Sequence, residues 1–428
     1  MRRAFTLIEL LIVIAIIAVL AVVVVLTLNP GQLILQARDS TRVQDLASLQ
    51  DAIGLYITDA AVNGTISLGS ANTVYVSIPD PMATTTLGDQ CQGLGLLSLP
   101  AGYTYHCAAS STFRMNDGTG WIPINFKGMS QGGVLGQLPQ DPVNSSSSRT
   151  YETYTTDGTH YEVTAALESQ KYKLGGTNDV VGTDGGTLAT VYERGTKLGL
   201  EPLDYGDSSL VGLWTFDEGT NSTAYDYSGN NATGSWSGST PHYAGGKIGP
   251  YAGTFDGSTD YNTVPSEASL YPTLAITVSA WVKPAAWSST YSPFIEGGGN
   301  LNVGLSSGYF LGVGVFGSNI AFDVGGPPNN RYTVSYSNTA VPLNAWSFVA
   351  GTLTTGGTMI LYINGVAVAA IADADTNIGY GSYPVSLGVL DYCCQSTGFL
   401  FNGSIDDARV YNRALSAAEI QAMYNGGK

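Results

Sequence analysis

One carboxylate, Glu9, stands at the mouth of a charge-free apolar run that covers residues 10–28. At 1.5 Å per helical residue the run spans about 28 Å, one bilayer core, so it predicts a transmembrane helix. Arg2 and Arg3 precede it and the next basic residue is Arg38, which places the N-terminus in the cytoplasm and the rest of the chain outside. An acid at the edge of hydrocarbon is costly and calls for a partner. A signal peptide or a plain stop-transfer anchor has no use for Glu9, and no A-x-A-like cleavage site follows the run.

Asn29-Pro30-Gly31 interrupts this helix, since Pro30 lacks a donor and Gly31 is flexible. Beyond the break Leu46, Leu49, Ile53, Tyr56 and Ala60 recur at steps of three and four, an apolar stripe that leaves Arg38, Asp39, Arg42 and Asp45 outside it, and Gly64 ends it. Residues 64–173 then hold β-prone runs at 73–78, 103–108, 150–154 and 161–165, with Thr156-Asp157-Gly158-Thr159 as the turn between the last two. Residues 174–209, rich in Gly, Thr and Asp, read as a partly structured linker with one β-prone patch at 187–192.

A second module follows at 210–428. In LVGLWTFDEG the residues Leu213, Thr215 and Asp217 alternate with Trp214 and Phe216, as in a half-buried strand. Further runs lie at 252–255, 274–282, 301–305, 310–316, 346–353, 359–363 and 366–370, and Asn364-Gly365 is a type I′ hairpin signal. Many short strands at regular spacing predict a two-sheet sandwich or jelly roll. The chain holds 54 Gly and 26 Tyr but only 12% charged residues, which also favours short strands over helical bundles. Its net charge of −16, with no basic cluster, argues against nucleic acid as a partner. Residues 201–428 carry seventeen Asp and Glu against six Lys and Arg, compatible with a cation-binding surface or simply with a soluble acidic exterior.

Ala4-Phe5-Thr6-Leu7-Ile8-Glu9-Leu10 resembles the prepilin signature of type IV pilins and of the pseudopilins of type II secretion, departing from it only at Ala4, where the family has Gly. The resemblance implies cleavage by a prepilin peptidase between Ala4 and Phe5, N-methylation of Phe5, and a role for Glu9 in neutralising the N-terminal amine of a neighbouring subunit. That pair would form only on assembly and would set axial register more than stability. GTGWIPINF, LPQDPVNS and TYTTDGTHYEVTAALES resemble pilin and pseudopilin globular domains. LWTFDEGTNSTAYDYSGNNATG, TFDGSTDYNTV, ITVSAWVKP, MILYINGVAVA and FNGSIDDARVYNRALSAAEIQAMY, in that order, resemble the laminin G-like, concanavalin-type jelly roll. The expected architecture is therefore a leader (1–4), a filament-core helix (5–63), an α+β pilin-like domain with a small antiparallel sheet (64–173), the linker, and an all-β jelly-roll sandwich (210–428).

The four cysteines lie beyond the span, in an oxidising compartment if the topology holds. Cys91 and Cys107 are spaced for a local bridge, and the adjacent Cys393 and Cys394 for a vicinal one or two free thiols, although four cysteines allow three connectivities. Asp217, Asp226, Asp406 and Asp407, with Asn231, fall in the two pieces that the resemblance brings together. Such oxygen ligands suit one Ca²⁺, and capping and turn chemistry is the other reading. Trp236, Trp287, Tyr291, Tyr309, Tyr332, Tyr336 and Tyr380 lie among Gly, Ser and Asn, where rings can stack on sugars, and each ring can equally serve edge packing. Catalysis is not expected: there is no E-x-D-x-x-E pair of carboxylates, Glu218, Glu267, Glu296 and Glu419 are isolated, and His106, His160 and His242 are scattered.

These readings converge on a filament subunit of the cytoplasmic membrane and the extracellular filament that displays a lectin-like adhesion module. Its partners would be identical or related pilin subunits, the prepilin peptidase, and an extracellular glycan or surface protein. The alternatives are a minor or tip pilin, a monomeric anchored glycan-binding protein and, last, a glycan hydrolase.

Overall fold

The computed structural model describes residues 7–83, 91, 93–130, 132–239, 241–288, 291–299, 307–314, 319–326, 330–372, 377–381, 383–390 and 399–427; for 18–28, 63 and 330–332 it describes the backbone alone. Helix α1 (Leu7–Leu28) meets helix α2 (Pro30–Asn63) at Asn29. Asn29 takes the left-handed conformation (φ 39°) and its side chain accepts the amide of Gln32, with Pro30 at the first helical position, where its missing N–H costs nothing. The interruption predicted at 29–31 is thus a one-residue break.

The stripe on α2 is seated as expected. Leu46, Leu49, Ile53 and Ala60 are buried on a five-stranded sheet of spatial order β2-β1-β3-β4-β5, from β1 (Thr73–Asp80), β2 (Thr104–Ala109), β3 (Glu152–Thr156), β4 (Tyr161–Ala166) and β5 (Val191–Gly195). Alternation divides the sheet: Tyr75, Tyr154, Val163 and Tyr192 face α2, while Val74, Val76, Tyr151 and Val191 face the other way.

Two expectations change here. The sheet is not wholly antiparallel, because β1 and β2 pair in parallel across a long connection. The segment read as a linker supplies β5, which pairs with β4 along its whole length. Asp39 and Arg42, outside the apolar stripe, are also fully buried, because Arg42 finds three carboxylates: Asp39 at 2.8 Å, Asp141 at 2.5 Å and Glu168 at 2.8 Å. Asp39 also accepts the amides of Glu168 and Ser169, so the polar side of α2 is pinned to the loop after β4.

From Leu210 the chain forms two stacked sheets. The first runs Val366–Ala372, Thr358–Ile363, Ser347–Thr354, Ala275–Ala286, Asn402–Tyr411, Tyr251–Asp256 and Tyr243–Gly245, with Leu210–Trp214 also paired to Asn402–Tyr411. The second runs Asn330–Ser337, Asn319–Gly326, Tyr309–Val313, Ser292–Gly297, Val385–Leu387, Tyr261–Val264, Gly234–Ser237 and Thr223–Ala224. Trp214, Phe255, Val278, Ile295, Leu311, Phe322, Leu361 and Val410 fill the space between them. Asn364 and Gly365 both have positive φ (52° and 78°), as the predicted hairpin turn requires. The run 301–305 and part of 310–316 lie outside the described residues.

Leu210–Trp214 is buried on both faces, not one. Val211 and Trp214 enter the sandwich core, whereas Leu210 and Leu213 join Trp281, Phe348, Tyr411, Ile420 and Met423 on the outer face. Helix α3 (Ala417–Gly426), opened by a Ser416/Glu419 capping box, covers that outer cluster, and Leu174 from the preceding segment packs into it.

Candidate functional site

Three regions hold the residues singled out above. At the N-terminal end, Ala4 and Phe5 lie outside the described residues, and Glu9 occupies the first turn of α1. The helix around it presents apolar side chains: Leu7, Ile8, Leu10, Leu11, Ile14 and Ile17 are all exposed, Leu7 by 82%. Leu33 and Ile34 continue this exposed apolar surface past the break. Among the described residues no helix is long and apolar enough to cross a membrane; the side chains of residues 18–28 fall outside that set.

The second region is the joint between the sheet and the sandwich. Residues 196–209 form a strap across the face of the sheet that looks away from α2, with Leu203 and Tyr205 buried against Val74, Val76, Tyr151 and the Cys91–Cys107 disulfide. That bridge was expected from spacing, with Cα atoms 5.5 Å apart; Cys393 and Cys394 lie outside the described residues. Asp204 of the strap accepts the amides of Ala189 and Thr190 and receives Nη1 of Arg409 at 3.0 Å. Arg409 also holds both oxygens of Asp407, at 2.9 and 3.0 Å. Burial raises the Asp204 carboxyl even though Arg409 opposes the shift. Beside this cluster Arg413 binds Asp207 at 2.6 Å and Glu419 at 2.7 Å. Burial alone would raise both acids, but Arg413 outweighs it and holds them below the usual carboxylate range. A cavity of about 200 Å³ opens here, between Gly182, Thr187, Ile248, Asp407, Arg409 and Met423. Nothing in the sequence marked these pairs, because Arg409 and Asp204 share no motif and no periodicity.

The third region is the sandwich, where the proposed calcium set is divided. Asp226 is a turn staple whose oxygens accept the amides of Leu213, Ser228 and Ala232, and Asn231 is exposed in the left-handed conformation of the same turn. Asp407 is engaged by Arg409. Asp217 accepts the amide of Tyr251, and Asp406 accepts those of Lys247 and Ile248. Burial pushes Asp217 up to about 7, with Glu218 and Asp407 adding to the effect, and Asp406 up to about 8, with Asp407 and Asp217 adding to it. Asp406 Oδ1 is buried without a partner. As placed, however, the five residues do not make one coordination set, and among the described residues no three acids, histidines or cysteines converge as a metal site.

The aromatic candidates are mostly core residues. Trp236 is 8% exposed, stacks on His242 at 4.6 Å and donates its indole N–H to the Tyr243 hydroxyl. Tyr309 is 1% exposed, and Tyr380 packs on the core and donates to the Pro272 carbonyl. Trp287 and Tyr291 are half-buried against Phe294 and Phe399. The Tyr332 side chain lies outside the described residues, and Tyr336 is exposed by 44%. His160 is bonded to Asp157 in the β3–β4 turn, and His106 packs on Tyr75.

Residues 1–25 match the prokaryotic N-terminal methylation motif, and residues 256–421 match the laminin G type of the concanavalin A-like lectin/glucanases superfamily. The two are joined in one chain. The second match begins inside the sandwich, whose first strand is already in place at Leu210–Trp214. Among curated proteins no significant match is found. Among solved structures the chain is similar to domain 4 of the extracellular arabinanase of Geobacillus stearothermophilus, solved with arabinotriose, at 23% identity, over 50% of this chain and 98% of that one, with a TM-score of 0.39. It is also similar to the binding domain of botulinum neurotoxin serotype D/C, at 21% identity over 51% of this chain and 52% of that one, with a TM-score of 0.41.

Proposed function

We propose that this chain is a type IV pilin-like filament subunit that carries the sandwich outside the cell as a glycan-binding adhesion module. The observation that supports it most is the join of a methylation-type N-terminus to a helix whose apolar side chains are exposed all round at residues 7–17. A helix apolar on every side needs hydrocarbon or other protein around it. In this reading α1 has lipid before assembly and the helices of its neighbours afterwards, while α2 carries the folded parts on the outside. Cleavage before Phe5 creates an amine, and Glu9 is its counter-charge across the subunit boundary.

Binding rather than cleavage is proposed for the sandwich because the sequence lacks the E-x-D-x-x-E arrangement of carboxylates that glycanases of this fold use. The test is to shear surface filaments from the producing cells, identify the chain by mass spectrometry and probe the filaments on a glycan array. Filaments that contain the chain starting at N-methylated Phe5, retain a glycan and release no reducing ends support the proposal. Absence of the chain from filaments would favour a monomeric anchored binder, and release of sugar would identify a hydrolase.

A further inference from the structure

We propose that Glu162 and Glu193 form a proton-sharing carboxyl pair that locks the strap of residues 196–209 to the five-stranded sheet, so that the hold on the C-terminal sandwich loosens as pH rises. This goes beyond the filament reading and does not depend on it.

On the antiparallel β4–β5 pair Glu162 stands opposite Gly195 and Glu193 opposite Thr164, which makes the two acids diagonal neighbours on one face. Both are fully buried. Glu162 Oε2 accepts the strap amides of Leu200 at 2.6 Å and Glu201 at 2.9 Å. The oxygens of Glu193 accept the amides of Thr187 at 3.2 Å and Leu188 at 2.8 Å. Of the four oxygens, only Glu162 Oε1 has no N–H or O–H donor. Two fully buried carboxyls that are neighbours on one face of a sheet cannot both be ionised, so one of them carries a proton. The geometry assigns that proton to Glu162 Oε1, which donates to Glu193.

The surroundings keep the proton in place. Asp184 of the loop before β5 accepts the Glu193 amide, and Glu201 of the strap accepts the hydroxyls of Thr153 and Thr155. The phenols of Tyr103, Tyr105, Tyr151 and Tyr205 act on the same cluster from the approach to β2, from β2, from the residue before β3 and from the strap. Two cations act on the cluster among the described residues: Arg194 through Asp184, with its guanidinium against Tyr192, and Arg149 through Tyr151. Burial raises Glu162 and Glu193, and it pushes Glu201 up to about 8 and Asp184 to about 7. Among the described residues no three acids converge as a metal site.

The sign follows from the direction of the shift. A carboxyl held above its unfolded-state value stabilises fully when the pH lies below that unfolded value, and its contribution is lost as pH rises through the folded one. Removing the proton sets two like charges against each other in a low dielectric and repels the carboxylate that holds the Leu200 and Glu201 amides. The strap carries Asp204 and Asp207, which bind Arg409 and Arg413 of the sandwich, so the joint loosens with it.

The experiment measures hydrogen exchange in the full-length chain in detergent micelles between pH 5 and 8, corrected for intrinsic rates, in wild type, Glu162→Gln and Glu193→Gln. In Glu162→Gln the new side-chain amide can donate to Glu193 and its oxygen can accept the strap amides, whereas Glu193→Gln turns one acceptor into a donor facing an N–H. Wild-type protection at Leu200 and Glu201 should fall by about tenfold or more across the range. Glu162→Gln should stay protected throughout, and Glu193→Gln should be unprotected even at pH 5. A flat wild-type profile, a Glu162→Gln profile that follows wild type, or failure of Glu162→Gln to fold by circular dichroism would each overturn the proposal. So would a wild-type profile displaced by calcium or by a chelator, since the ligand would then be a cation.

Discussion

Arg409 and Asp204 are separated by 205 residues in the chain and meet at 3.0 Å with both side chains almost wholly out of water. One belongs to the sandwich strand Asn402–Tyr411 and the other to the strap, so the pair makes the segment between the two folded parts a structural element of both. A free linker would show neither the pair nor the strand β5 that precedes it.

Removing that cation leaves two buried carboxylates without their partner. Arg409→Met is therefore expected to lower the stability of the full-length chain by about 3–5 kcal/mol. Pairing it with Asp204→Asn should recover part of the loss, because one of the orphaned charges is gone. Urea denaturation followed by tryptophan fluorescence measures both. A single-variant loss below about 1 kcal/mol, in the range of exposed pairs, would mean that water reaches the site.

Arg42 does the same for α2. Its planar fork spans Asp141 at 2.5 and 3.1 Å while Nη1 reaches Asp39 and Glu168, which a lysine cannot reproduce. Arg42→Ala should cost about 3–5 kcal/mol, and Arg42→Lys should retain part of the loss rather than restore wild-type stability. Protease sensitivity of the loop around Glu168 gives a local readout: equal resistance in all three proteins would show that the network does not hold that loop.

The Cys91–Cys107 bridge closes a short loop against the strap, with a sequence separation of 16. Loops of that length are stabilised by about 3 kcal/mol through the unfolded chain. Reduction, or the double change to Ala, should lower the melting temperature of the soluble parts without altering the N-terminal helix. Peptide mapping that joins Cys91 or Cys107 to Cys393 or Cys394 would contradict the pairing.

What could be read in advance follows the range of the signal. The break at Asn29-Pro30, the stripe from Leu46 to Ala60, the sandwich strands around 252–255, 274–282, 346–353, 359–363 and 366–370 and the Asn364-Gly365 turn are local patterns of period 3.6 or 2 and were legible, whereas strands such as Ser292–Gly297, Asn319–Gly326 and Asn330–Ser337 were not marked. The parallel pairing of β1 with β2, the burial of Arg42 and the meeting of Arg409 with Asp204 depend on contacts between distant segments, for which one sequence carries no period. Asp217 and Trp236 were named for a metal and a sugar from residue type alone; in the fold the carboxylate accepts the Tyr251 amide and the indole stacks on the buried His242. Residues 187–192 were recognised as β-prone, and only the missing partner, β4, kept them from being placed in the sheet.

At the N-terminus, Glu9→Ala should leave cleavage before Phe5 and membrane insertion intact and remove the chain from filaments, since the amine of a neighbour loses its counter-charge. Intact-mass analysis of membranes and of sheared filaments from the same cells separates the two steps. Wild-type amounts of the variant in filaments would rule out the register role, and an uncleaved variant would shift the role of Glu9 to processing.

The last prediction separates rings that fold the sandwich from rings that face its surroundings. Trp236 lies in the core against Phe216, Phe255 and His242, so Trp236→Ala should cost about 3–5 kcal/mol through lost burial and a cavity. Tyr336, on the edge strand Asn330–Ser337 and 44% exposed, should change stability by no more than about 0.5 kcal/mol when replaced by Ala. If the sandwich recognises a glycan through this edge, Tyr336→Ala should weaken retention of intact filaments on the glycan by about tenfold while the melting temperature stays put, as stacking of one ring on a sugar face is of that order. Trp287→Ala, half-buried beside Phe294, should fall between the two in stability. Filaments that hold the glycan equally well with Tyr336→Ala and Trp287→Ala would move the binding surface off this edge, and a large loss of stability in Tyr336→Ala would show that its ring supports the strand instead of facing a ligand.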